Sequence, residues 1–170
     1  MHDAGTVSLI LHAFLKGHAS TAITPANTDT FCLDLLWGYR FAREYHCVSI
    51  QNTFKFWLEK YLQDGKIAPL DVFIIAAKEG LHELAAMALS RSFKGKEREG
   101  SVESPWGRVN GKLMMSKLNQ SIWEELPGRY LFALSKVFKK PKGTKGVKEK
   151  KDRAVTAAEA ERKFLSIVMA

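Results

Sequence analysis

The sequence predicts an all-α protein, a bundle of short antiparallel helices, and three observations carry that reading. A chain of 170 residues, 46% of them hydrophobic, can bury one core and is too short for two large ones. Apolar residues recur at i, i+3, i+4 and i+7 in one stretch after another, which is the period of a single buried helical face. The densest stretch, Pro69 to Phe93, reads as two helices folded against each other. Pro69 suits a first helical turn, where no intrahelical N–H is lost. Leu70, Phe73, Ile74 and Ala77 supply the first apolar face, Gly80 a left-handed stop, and Leu81, Leu84, Ala85, Ala88 and Leu89 the second face.

Taken in order, Val7 to Leu15 predicts a helix with Val7, Ile10, Leu11 and Phe14 on one side, ended by Lys16-Gly17-His18. Ala19 to Ala26 reads as a connecting loop that reaches Pro25. Asn27-Thr28-Asp29-Thr30 supplies N-caps for a helix from Phe31 to His46, packing Phe31, Leu35, Tyr39, Ala42 and Tyr45 and leaving Arg40, Arg43 and Glu44 outside. After a break at Cys47-Val48-Ser49, Ile50, Phe54, Trp57, Leu58 and Tyr61 form an aromatic face central to packing, closed by Gly65. Lys94 to Lys112 holds alternating charges, four glycines and a proline without apolar period, and predicts a mobile surface loop. Leu113 to Leu126 predicts two short helical pieces around Asn119. Pro127-Gly128 restarts a helix carrying Tyr130, Ala133, Leu134, Val137 and Phe138.

From Lys139 the composition becomes lysine-rich and of low complexity, which predicts a disordered linker over 139–155. Thr156 and Glu159 then make a capping box for a last helix bearing Ala160, Phe164, Ile167 and Val168. The expected organisation is a helical domain over 1–138, the linker, and a C-terminal amphipathic helix over 156–170 that either docks or waits for a partner.

The net charge of +8 suggests a nucleic-acid binder until it is divided along the chain. Residues 1–135 hold 15 Lys+Arg against 14 Asp+Glu, whereas residues 136–170 hold 11 against 4, so the excess lies in the tail. Lys139, Lys140, Lys142, Lys145, Lys148, Lys150, Lys151 and Arg153 are therefore the candidate polyanion or nuclear-import contacts. The tail carries no interleaved aromatic residues to stack bases, which predicts weak, non-specific contact. No stretch of about twenty apolar residues predicts a membrane span. Met1 to Gly5 offers no basic flank for a signal peptide, so an intracellular protein, cytoplasmic or nuclear, is expected.

Catalytic and metal signatures are missing. His12 and His18 are split by a helix end, His46 and His82 have no second ligand at helical spacing, and no serine sits in a G-x-S-x-G turn. Cys32 and Cys47 match neither a zinc knuckle nor a redox pair and read as buried free thiols. Gly143 to Lys148 lacks the spacing, the following hydroxyl and the preceding strand of a phosphate loop. No catalytic residue, cofactor or metal is expected. Ser104-Pro105 is a weak phosphorylation signal, and Trp106 either pins its loop or anchors a partner.

Ala42-Arg43-Glu44-Tyr45-His46-Cys47, the helix to Leu62, Pro69 to Ala76, Gly80-Leu81 and Glu83-Leu84-Ala85 together resemble the C-terminal, helical half of fungal BTB/POZ-domain proteins. Leu126-Pro127-Gly128-Arg129-Tyr130-Leu131-Phe132-Ala133-Leu134 is similar to the segment that often closes that domain. The resemblance covers roughly residues 5 to 138 and implies a non-catalytic protein-protein interaction module, in a family whose members dimerise and in some cases recruit cullin-type ubiquitin ligases. The chain departs from that pattern in two places. The strands and first helices of the family's dimer face would precede Val7, and the region that carries a hydrophobic-x-Glu element in cullin-binding members holds no glutamate between Met1 and Arg43. A protein partner or self-association is thus expected, cullin recruitment is not, and weak nucleic-acid contact through the tail is the alternative.

Overall fold

The structure, a computed structural model, describes Val7, Ile10, Leu11 and residues 28–93, 113–138 and 155–170. Seven α-helices follow one another with no strand among the described residues: α1 (Thr28–Glu44), α2 (Val48–Gln63), α3 (Pro69–Glu79), α4 (His82–Ser92), α5 (Gln120–Glu125), α6 (Gly128–Val137) and α7 (Ala157–Val168). A single 3-10 turn, Met115–Lys117, precedes α5.

The first three helices stop in the same way. In each, a residue two or three positions past the helix donates its N–H to a carbonyl five residues back: Cys47 to Ala42 at 2.7 Å, Lys66 to Tyr61 at 2.9 Å and Leu81 to Ala76 at 2.8 Å. The residue before each donor takes a left-handed backbone, at His46 (φ 54°), Gly65 (φ 68°) and Gly80 (φ 71°). This is the 6→1 bond of a helix terminus that satisfies carbonyls the helix itself leaves orphaned. The two glycines stop their helices as their sequence predicts. His46 ends α1 two residues earlier than expected, and Tyr45 leaves the packed side to become 62% exposed. At its other end α1 begins at Thr28, so Thr28, Asp29 and Thr30 lie inside the helix rather than capping it.

Helix α3 is the centre of the molecule. Every residue from Leu70 to Ala77 is buried, so the expected amphipathic face of four residues is a helix buried nearly all round. It packs against α1, α2, α4 and α5, while α7 lies across α4 and α6. Gly38 is the point of closest approach between α1 and α2: a Cβ there would run into the ring of Phe54, which is fully buried. The expected core of α2 is observed, with Ile50, Phe54, Trp57, Leu58 and Tyr61 all buried.

The C-terminal helix docks. Thr156 Oγ1 accepts from Glu159 N at 3.3 Å and Glu159 Oε2 accepts from Thr156 N at 3.0 Å, the two halves of a capping box. Ala160, Phe164 and Val168 enter the common core, with Ile167 half-buried beside them. The Phe164 ring lies 5.6 Å from Phe73 of α3 and 5.8 Å from Tyr130 of α6, and Phe73 meets Tyr130 edge-on at 6.1 Å. These three rings join helices distant in the chain, and their buried area is the main reason that a twelve-residue helix stays in place.

Asn119 caps α5 by accepting from Ile122 N at 3.0 Å, as the two-piece reading of that segment requires. Near the amino end, Ile10 is half-buried against the core while Val7 and Leu11 are exposed, so only part of the expected apolar face is inserted. Phe14, the expected loop over 19–26, the segment 94–112 and the linker from Lys139 to Arg153 lie outside the described residues.

Candidate interaction surface

Among the described residues, the outer face of α1 exposes an aromatic and cationic group. Cys32, Leu35, Leu36, Tyr39 and Ala42 point into the core, which turns Trp37, on the opposite side of the helix, outward at 46% exposure. Phe41 follows one turn later and packs at a tilt against Tyr45, ring centres 4.5 Å apart, and Val48 just past the helix end is also exposed.

Beneath this face lies a buried carboxylate. The Glu79 side chain at the end of α3 is fully enclosed, at a helix C-terminus whose dipole disfavours negative charge. Two guanidiniums from α1 offset that cost. Arg40 Nε donates to Glu79 Oε1 at 2.6 Å, and Arg43 Nη1 lies 2.7 Å from Oε2, paired by charge rather than by an aligned hydrogen bond. Neither arginine is simply a solvated outer charge, because each doubles back over its helix to a partner thirty-six or more residues away. Arg40 also lies over the Trp37 ring, 5.4 Å from its centre. The ring is therefore held on a cation that a buried acid fixes in turn.

The same charges act on their neighbours. Burial raises the Tyr39 phenol above its ordinary pKa, helped by Glu79 and opposed by Arg43. Burial lowers the Lys78 ammonium, with the nearby Arg40 adding to the effect and Glu79 opposing it. Lys78 pairs with Glu125 and so ties α3 to α5.

The thiols and histidines occupy structural positions. Cys32 Sγ lies 3.8 Å from Asp71 Oδ2, and burial, the Asp71 charge and this hydrogen bond all push its thiol far up, which keeps it protonated and unreactive. Cys47 is free and half-buried rather than buried. His82 Nδ1 and Tyr130 Oη are 2.7 Å apart, and burial pushes the Tyr130 phenol up to about 12. His46 is the left-handed stop of α1. His12, His18, Ser104 and Trp106 lie outside the described residues, among which no group of three or more His, Cys, Asp or Glu side chains is placed to hold a metal ion. No described helix is long and apolar enough to cross a membrane.

Lys139, Lys140, Lys142, Lys145, Lys148, Lys150, Lys151 and Arg153 also lie outside the described residues. What the structure places is the ground on either side of them. Lys136, near the end of α6, lies 4.9 Å over the ring of Phe132, and Lys163 Nζ of α7 donates to Val137 O at 3.5 Å. Phe132 is 54% exposed. Sequence reading passed over Phe132 because it lies off the apolar stripe of α6, and it passed over Glu79 because a glutamate beside a glycine stop looks like an ordinary helix end. Trp37 was likewise not singled out, although the packed face of α1 omits both it and Phe41.

The chain matches no protein-family model, no curated protein and no solved structure.

Proposed function

We propose that the protein is a non-catalytic protein-protein interaction module that docks through the outer face of α1. The observation carrying this reading is the preorganised aromatic and arginine surface: Trp37 held on Arg40, Arg40 held on the buried Glu79, and Tyr45 packed at a tilt against Phe41. Trp, Tyr and Arg are the residues that most often carry binding energy in protein interfaces, above all when fixed before binding. The resemblance of Ala42 to Leu134 to the helical half of fungal BTB/POZ proteins points to the same kind of role.

Light scattering of the whole chain at several concentrations tests self-association. The mass is expected to rise with concentration, and the Trp37→Ala/Tyr45→Ala double variant is expected to stay monomeric with unchanged helicity. If the unaltered chain is monomeric throughout, self-contact is excluded, and cross-linking to outside proteins with the same double variant as the control decides the reading.

A second reading, weak nucleic-acid contact through the lysine-rich tail, is favoured by one observation. The cations Lys136 and Lys163 stand on the folded body beside the point where residue 139 begins that tail. Such contact would weaken steeply with added salt, because each phosphate neutralised releases counterions.

A further inference from the structure

The tail carries charge without aromatic residues, yet the helix leading into it exposes a phenylalanine among cations. Phe132 is 54% exposed, with the Lys136 ammonium 4.9 Å from its ring centre. Arg129, one turn earlier and also exposed, falls on the same side of α6. From α7, Lys163 reaches the carbonyl of Val137, one residue beyond Lys136. Helices α6 and α7 together hold four cations, Arg129, Lys136, Arg162 and Lys163, against two carboxylates, Glu159 and Glu161. Glu159, one turn before Lys163, is engaged in the capping box.

An exposed aromatic ring with ammonium and guanidinium groups around it matches a nucleotide in both of its parts, since the base offers a π-face to stack and the flanking phosphates offer negative charge. We propose that Phe132 is a base-stacking platform for single-stranded nucleic acid, with Lys136, Arg129 and Lys163 contacting the phosphates on either side. The proposal rests on the second reading above and adds to it a residue of the folded body. A partner protein presenting an acidic segment is the competing occupant. Base-dependent binding discriminates between them, because an aromatic ring can also anchor a protein partner whereas only a nucleic acid gains affinity from its bases.

The test uses the full chain and two fluorescently labelled probes in low salt, a twelve-nucleotide oligothymidine and an abasic strand of equal length and charge. Anisotropy titrations are expected to show the thymidine strand bound more tightly than the abasic one. Phe132→Leu should weaken thymidine binding about five- to a hundredfold and erase the difference between the probes, with Phe132→Trp retaining it. Phe132→Leu should leave the salt dependence unchanged, whereas Lys136→Ala should make it shallower. Circular dichroism confirms that these surface variants stay folded. Equal affinity for both probes, or unaltered binding by Phe132→Leu, overturns the stacking role while leaving phosphate contact through the tail intact. No binding of either probe overturns the second reading and this inference together.

Discussion

His46 is the sole non-glycine residue with positive φ among the described residues, at a position where α2 and α3 are each followed by glycine. The left-handed backbone brings Cβ too near the following carbonyl, at a cost of roughly 1–2 kcal/mol. His46→Gly is therefore expected to stabilise the protein by up to about 1 kcal/mol, part of the relief being lost to the greater freedom of glycine in the unfolded chain. A rise in the urea midpoint at unchanged slope is the check. At the same scale, the sequence does not reveal the partnership of Glu79. Its neighbours Lys78 and Gly80 announce a solvated helix end, and only the packing of α1 on α3 makes it an enclosed acid flanked by arginines.

Legibility at the scale of elements follows how local the cause is. The capping box of α7, the glycine stops after α2 and α3, and the Asn119 cap depend on residues within a turn or two, and all are visible in the sequence. The burial of α3 nearly all round is not, because what covers Val72 and Ile75 comes from helices elsewhere in the chain. Gly38 is a further case. Glycine in a helix interior reads as a weakness of about 1 kcal/mol, and Gly38→Ala would ordinarily stabilise. Here the added methyl meets the enclosed ring of Phe54, and overpacking of this kind costs about 1–3 kcal/mol. The net expectation is destabilisation by up to about 2 kcal/mol, read as a fall in thermal midpoint. A rise would mean that α1 and α2 separate at little cost.

For the whole molecule, the buried acids set the response to alkali. Tyr130 has an ordinary pKa of 10.0 that folding raises to about 12, so between those values the unfolded chain releases a proton that the folded chain keeps. Stability is then fully present below about pH 10 and falls as pH rises toward 12, by up to roughly 3 kcal/mol from this residue. Tyr39 and Cys32 are raised as well and act in the same direction. Urea midpoints measured from pH 8 to 11.5 should fall, and less steeply in Tyr130→Phe. A flat profile would show that the phenol reaches solvent in the folded state.

Ser92 accepts a hydrogen bond from the N–H of Leu113 at 3.1 Å and donates one to Leu89 O at 2.7 Å, while Phe93 stacks on Phe138 at 5.6 Å. Leu113, twenty-one residues after Ser92, thus lies beside the end of α4. The nineteen residues between Phe93 and Leu113 therefore join two points of the fold that a serine hydroxyl holds together. Loop-closure entropy changes only slowly with length, so this junction is where the fold can absorb insertions and deletions with the least effect on its packing. A reporter domain or a purification handle spliced between Phe93 and Leu113 would leave the helices on both sides in register.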